Sequence, residues 1–335
     1  MRTTARLLFA TLLGLSLGLG TAPSLAEVKE LRIAVQFGIA YTPLLIIEKH
    51  DLIGKAAAAT GLGKVTTSLI RLSGAPAIND AVLSGTAEMG AYGTTGFLTA
   101  WDKTRGKLDV LGLCGIAVMP SVMTAIRPDL KTLRDVMPTD RIAVPSTTSP
   151  QAIVLRMAAE QAFGPGQHGR LDTQLVTLPH PEGVRALLGG TEIVAHVTSP
   201  PFDTFEAEDP RVHRVFSADN VVGGPSTFII LATQRRFAEA NPGLTQAVLA
   251  AVEQAMAMIR ADPHEAALTY VAAEKATMPV ELVERLLKNP DYAFTPEPLR
   301  IMKYVEFMTR TGQMKNVPQD WRELFLPLIH HRQGS

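Results

Sequence analysis

Short apolar runs alternate with stretches of helical spacing from Leu31 to about Leu231. The runs read as strands at 31–36, 65–71, 88–92, 109–113, 141–144, 174–178, 193–197, 213–216 and 227–232. The runs are short and β-like, and their alternation with helical segments predicts α/β lobes with largely parallel sheets. From Gln234 onward the period changes to helices alone, over 247–260, 263–273, 280–287, 298–311 and 321–331, with Asn-Pro or Asp-Pro breaks at 241, 262 and 289.

The pattern repeats. Arg32-Ile33-Ala34-Val35 returns as Arg141-Ile142-Ala143-Val144, each followed by a hydroxyl residue, a proline and an apolar helical run, Thr42-Pro43-Leu44 and then Ser149-Pro150-Gln151. Leu83, Gly85, Glu88, Ala91, Thr94 and Thr95 return as Leu187, Gly189, Glu192, Ala195, Thr198 and Ser199. Similar order at similar spacing predicts two lobes of similar build. Thr42-Pro43, Ala75-Pro76, Ser149-Pro150, His180-Pro181 and Ser199-Pro200 place proline where a first helical residue belongs, and Gly85 and Gly189 stop the helices they follow. Because these helix starts come directly after strands, their free N–H groups gather at the carboxyl ends of the sheets.

In open α/β sheets ligands bind beyond those ends. The first lobe then offers Gln36, Phe37, Tyr41, Ser73, Tyr92, Thr94 and Thr95, and the second Ser146, Thr148, Ser149, His180, His196 and Thr198. Hydroxyls and helix N-termini suit an anionic group, although Ser or Thr before proline is also an ordinary cap worth ~1 kcal/mol without any ligand. Arg71 could pair a ligand anion or a surface carboxylate. Gly223-Gly224-Pro225-Ser226-Thr227, where the chain would return to the first lobe, suits a hinge or a close approach to ligand, and puts Ser226 among the candidate contacts. The outbound crossing falls near Ala117–Val122.

The first 26 residues read as a cleavable signal peptide: Arg2 and Arg6, an apolar Leu7–Leu19, and small residues before a cut after Ala26. The only cysteine is Cys114, which excludes both a lipoprotein cysteine at the cut and an internal disulfide; within an apolar run it should act as a small hydrophobe. Lys+Arg and Asp+Glu both number 32 and no basic run occurs, which argues against nucleic acid and anionic membranes as partners. No serine-hydrolase elbow, HExxH, paired CxxC, phosphate loop or dinucleotide fingerprint is present, so neither catalysis nor a cofactor or metal is expected.

Taken together, the strand from Leu31, the Tyr41-Thr42-Pro43-Leu44 helix, the Ala81–Ala91 segment, Leu130–Val136 running into Arg141–Pro145, and Phe237–Pro242 with Ala261–Ala267 resemble the nitrate/sulfonate/taurine-type solute-binding proteins of ABC importers. The resemblance spans nearly all of the chain after residue 26. It implies an α/β type II periplasmic-binding fold: lobe 1 from 27–117 with 225–335, lobe 2 from 118–224, a two-strand hinge, and the C-terminal helices on lobe 1. It also implies ligand contacts near Tyr41, Thr94, Ser146, Thr148 and His196. The expected protein is a periplasmic monomer that captures a small anionic organic molecule, a sulfonate, carboxylate or nitrate-like ion, for a membrane permease. Alternatives are a neutral or aromatic heterocycle such as a thiamin-pyrimidine precursor, or an enzyme resembling the thiamin-pyrimidine synthases, whose cysteine-rich motif this chain lacks.

Overall fold

The computed structural model of the chain describes residues 27–276 and 278–335; the signal-peptide reading falls outside them. Ten strands are present among the described residues: β1 (Glu30–Val35), β2 (Thr66–Arg71), β3 (Met89–Gly93), β4 (Val110–Val118), β5 (Val122–Ala125), β6 (Arg141–Val144), β7 (Leu175–Thr177), β8 (Ile193–Thr198), β9 (His213–Ser217) and β10 (Thr227–Gln234). They form two five-stranded sheets, ordered β2-β1-β3-β10-β4 and β7-β6-β8-β5-β9. The orders are equivalent position by position, and the repeated Arg-Ile-Ala-Val occupies the same place in each, β1 and β6.

In each sheet four strands run in one direction and the strand fourth in the order runs against them. Those reversed strands, β10 and β5, are the ones the chain lays down on arriving from the other sheet. Crossing occurs through 119–121 between β4 and β5 and through 218–226 between β9 and β10. On the return, Gly223 and Gly224 take φ of 88° and 129°, a region that residues with a Cβ rarely adopt.

β3, β4 and β10 are buried along their whole length, as strands covered on both faces must be. The lobe-1 core joins them to the C-terminal segment through Leu244, Val248, Val252 and Tyr304 of its helices and through Phe325. The helix Pro242–Ala261 begins with a proline and is completed by Glu27, whose carboxylate accepts from the amides of Gly243 and Leu244 at 2.9 and 2.6 Å. A carboxylate there satisfies orphan donors and opposes the helix dipole. Lobe 2 has its own smaller core around Met123, Ile142, Val144, Leu155 and Val197.

The expected helix over 321–331 does not form. Trp321–Leu324 and Pro327–Ile329 are separate short 3-10 turns. Between them Phe325 pairs with Gly112 in β4, and Leu326 donates its amide to the Gly112 carbonyl, so backbone bonding to the sheet edge replaces the helix. The short strand β5 is not among the expected strands; only its first residue, Val122, falls within the expected crossing. The helix predicted to start at Ser199-Pro200 starts at Phe202 instead, after a second proline, Pro201, at its N-cap.

Candidate functional site

The carboxyl ends of the two sheets face each other. Between them lies a cavity of about 20 Å³ for a water-sized sphere, bounded from lobe 1 by Gln36, Phe37, Tyr41, Ala75 and Gly93, from lobe 2 by Pro145, Ser149, Gln151, His180 and Ser199, and by Phe228 and Ile229 of β10. That space holds roughly one water. None of the lining residues is Arg or Lys. The helices Ala75–Ser84, Thr94–Thr104 and His180–Leu188 start here without a side-chain cap, which leaves backbone donors at the cavity edge. The helix Pro150–Phe163 is capped by Ser149, whose hydroxyl accepts from the Ala152 amide at 3.2 Å.

The lobes touch at several points. Thr95 donates its hydroxyl to the Thr148 carbonyl at 2.6 Å. Arg310 forms a two-armed ion pair with Glu160 at 2.9 and 2.6 Å, which holds the Glu160 carboxyl down at about 2. At Gly93 the approach is so close that a Cβ would sit 2.6 Å from the Pro150 ring.

Behind the lobe-2 wall runs a fully buried polar chain. His196 Nδ1 lies 2.6 Å from Glu206 Oε1, and Thr124 donates its hydroxyl to the other carboxylate oxygen at 2.6 Å. His196 Nε2 is 3.1 Å from His180 Nδ1, and His180 Nε2 is 3.2 Å from the Gln151 carboxamide nitrogen at the cavity. Phe202 stacks on the His180 ring at 5.1 Å. Both His196 and Glu206 have zero exposure. The sheet explains the assembly: β5 sets Thr124 opposite His196, so both side chains share one face. Gly183, one helical turn after His180, makes room for it, since a Cβ there would lie 2.7 Å from His196 Nε2. Burial, then the neighbouring His196, hold the His180 imidazole well below its ordinary value.

Of the residues singled out from sequence, Gln36, Phe37, Tyr41, Ser149 and His180 line the cavity. His196 and Thr198 reach it through His180, Thr198 by a 3.3 Å contact with His180 Nδ1. Thr95 and Thr148 form the inter-lobe contact, and Ser146 turns its hydroxyl toward Thr148 at 3.4 Å. The others lie elsewhere. Ser73 is exposed and outside the lining. The Tyr92 ring folds over Gly90 into the lobe-1 core. Thr94 donates its hydroxyl to the Thr227 carbonyl at the crossing, and Ser226 bonds the Tyr304 hydroxyl at 3.1 Å. Arg71 is paired with Glu274 at 2.9 Å. Gln151, Glu206 and Thr124 were not signalled as side-chain participants, because their roles depend on contacts that no local motif announces.

The model of the NMT1-like family matches residues 24–273. No curated protein matches the chain in sequence. Among solved structures, the alkanesulfonate-binding protein SsuA of Xanthomonas axonopodis pv. citri, bound to MOPS, is similar with a TM-score of 0.68 at 18% identity, covering 87% of this chain and 96% of that one. The periplasmic aliphatic sulphonate-binding protein SsuA of Escherichia coli gives 0.66 at 17%, covering 89% and 98%. The periplasmic nitrate-binding protein NrtA of Synechocystis PCC 6803 gives 0.70 at 13%, covering 89% and 84%. These likenesses establish the fold as that of periplasmic binding proteins, two α/β lobes joined by two crossing segments.

Proposed function

Since the chain belongs to the NMT1-like family, we propose that it is a periplasmic solute-binding protein that closes two lobes, 27–117 with 225–335 and 118–224, around a small anionic organic molecule and presents it to an ABC importer. One observation carries the reading: the cavity is split between two equivalent sheet ends, and the 119–121 and 218–226 crossings run between the sheets. About 20 Å³ does not admit an organic anion, so entry requires the lobes to separate and then close, the motion a two-segment crossing permits. No bond need be made or broken.

Uncapped helix starts and the His180 ring supply donors for a sulfonate, carboxylate or nitrate group. The sulfonate- and nitrate-binding names of the similar structures point the same way. Gln36, Phe37, Tyr41, Ser149, Gln151 and His180 are the proposed direct contacts. The aromatic Phe37, Tyr41 and Phe228 and the absence of Arg and Lys from the lining favour one second reading, a neutral heterocycle held by stacking.

A thermal-shift screen of residues 27–335 against alkanesulfonates, carboxylates, nitrate and pyrimidines separates them, because a ligand that binds only the native state raises the melting temperature. A shift with the acids alone supports the first reading, and a shift with pyrimidines alone supports the second. No shift with any class would overturn the solute-binding reading for these compounds.

A further inference from the structure

The small cavity has no room for the carbon frame of an organic acid, since about 20 Å³ holds roughly one water. A second space adjoins it. It is a groove of about 440 Å³ for a water-sized sphere, within the ~300–1,000 Å³ range of small-molecule sites. Phe37 borders both spaces, and the consecutive residues His180 and Pro181 border one each. The partition between the two is aromatic, built from the Phe37 ring and from Phe202 stacked on His180 at 5.1 Å.

Both lobes build the groove. Phe37, Tyr270 and Met278 come from lobe 1, and Val184, Phe202 and Phe205 from lobe 2. Phe202 and Phe205 stand three apart on the short helix Phe202–Glu206, and Tyr270 and Glu274 four apart on the helix Pro263–Glu274, so each pair presents one face. Val184, Phe202 and Tyr270 are buried, whereas Phe37, Phe205 and Met278 are only half-buried, so apolar surface from both lobes faces the groove.

The free charge at the groove has one sign. Glu274 is the one carboxylate in its lining, and Arg71 takes it at 2.9 Å. Arg185 of lobe 2 and Lys275 of lobe 1 also line the groove, both exposed and neither in an ion pair among the described residues. Each stands at the C-terminal end of a helix, where the dipole favours a cation without any ligand. That accounts for the charges one by one and not for the apolar groove they share. A positive rim around an apolar trough draws an organic anion and gives a neutral molecule no such advantage.

We propose that the groove receives the apolar body of the solute, so that the substrate class is an acid with a bulky aryl or branched alkyl frame. Once the lobes have closed on it, the head lies in the small cavity and the frame on Phe37, Phe202, Phe205 and Met278. A compact ion of the size of nitrate or methanesulfonate fills the head site alone. Because the frame is buried against residues of both lobes at once, a larger frame stabilises the closed form more. The inference rests on the solute-binding reading and adds to it the class of solute.

Calorimetry of residues 27–335 with methanesulfonate, benzenesulfonate and naphthalene-2-sulfonate tests the class, and each step up in frame should tighten binding roughly tenfold or more through the apolar area it buries. Acetate and naphthalene-2-carboxylate make the same comparison for a carboxylate head. Naphthalene-2-sulfonamide keeps the frame and drops the charge, and should bind roughly tenfold more weakly than the sulfonate. Phe205→Ala removes a wall and Ala276→Trp fills the groove from a half-buried position in its lining. Each should cut the ratio of naphthalenesulfonate to methanesulfonate affinity roughly fivefold or more. Carbon-13 methyl NMR of the wild-type methionines locates the frame without relying on either variant: the Met278 methyl, assigned through Met278→Leu, should move much further with naphthalene-2-sulfonate than with methanesulfonate. Equal affinities for small and large acids, or naphthalene-2-sulfonate bound with Met278 moved no further than by methanesulfonate, would overturn the proposal and leave solute binding intact. A sulfonamide bound as tightly as the sulfonate would overturn the acid in the assigned class. Failure of every acid to bind, small or large, would sink this proposal together with the solute-binding reading for these compounds.

Discussion

Gly93→Ala tests whether the two lobes must meet for the site to form. Gly93 ends β3 in lobe 1 with φ −60° and ψ 142°, angles that alanine adopts without strain. The added methyl would lie 2.6 and 2.8 Å from Cδ and Cγ of Pro150, the first residue of a lobe-2 helix. Carbon atoms pack at about 3.5–4.0 Å, so roughly 1 Å of separation is required. Pro150 cannot turn aside, because its ring is part of a helix start held by Ser149. Overpacking of this kind costs about 1–3 kcal/mol, and since the clash disappears when the lobes part, the whole cost falls on closure. Ligand affinity should drop roughly 5- to 150-fold, while the melting temperature without ligand changes by only a few degrees. Small-angle scattering of the ligand-free protein should show a larger radius of gyration than wild type. Lost affinity with unchanged scattering would refute the wedge argument and place the methyl against the ligand instead.

Asp203 is pushed up from 3.8 to about 6, chiefly by burial. The folded state therefore holds its proton more tightly than the unfolded chain, a contribution fully present below about pH 4 and lost as pH rises through 6; Asp203→Asn should gain up to about 3 kcal/mol over wild type between those limits in urea melts, and an unchanged difference would refute it. Thr148→Val should bind within about twofold of wild type by calorimetry, because Thr95 bonds the Thr148 backbone carbonyl and the hydroxyl does not line the cavity; a tenfold loss would place that hydroxyl on the ligand. Cys114 has zero exposure in β4 and burial pushes its thiol up, so it should resist maleimide until the protein unfolds, and Cys114→Ala should leave affinity unchanged at a stability cost of about 1 kcal/mol.

What was legible in the chain was whatever a local rule enforces. A buried parallel strand must be a short apolar run, so β1, β6 and β8 fall within a residue or so of where the pattern puts them, and the repeat lands on equivalent strands. A rule fails where a distant partner overrides it. The apolar spacing after Trp321 suits a helix, but the edge of β4 takes up the Phe325–Leu326 backbone first and Pro327 restarts the turn. Candidate contacts divide the same way. Strand order places Gln36, Phe37 and His180 at a sheet end, and they line the cavity; strand parity, which no motif states, turns the Tyr92 ring back over Gly90.

The least legible part is the chain of Thr124, Glu206, His196 and His180. It draws one residue from each of two antiparallel strands and two from helices that follow prolines, and sequence alone gives a buried glutamate no more weight than an exposed one. What sets Glu206 apart is the absence of water around it. In solvent a glutamate beside a histidine is a weak surface pair; with no exposure, removing either partner leaves the other buried and uncompensated. The placement of His180 at the cleft is therefore held by residues that do not line the cavity, His196 directly and Glu206 with Thr124 behind it.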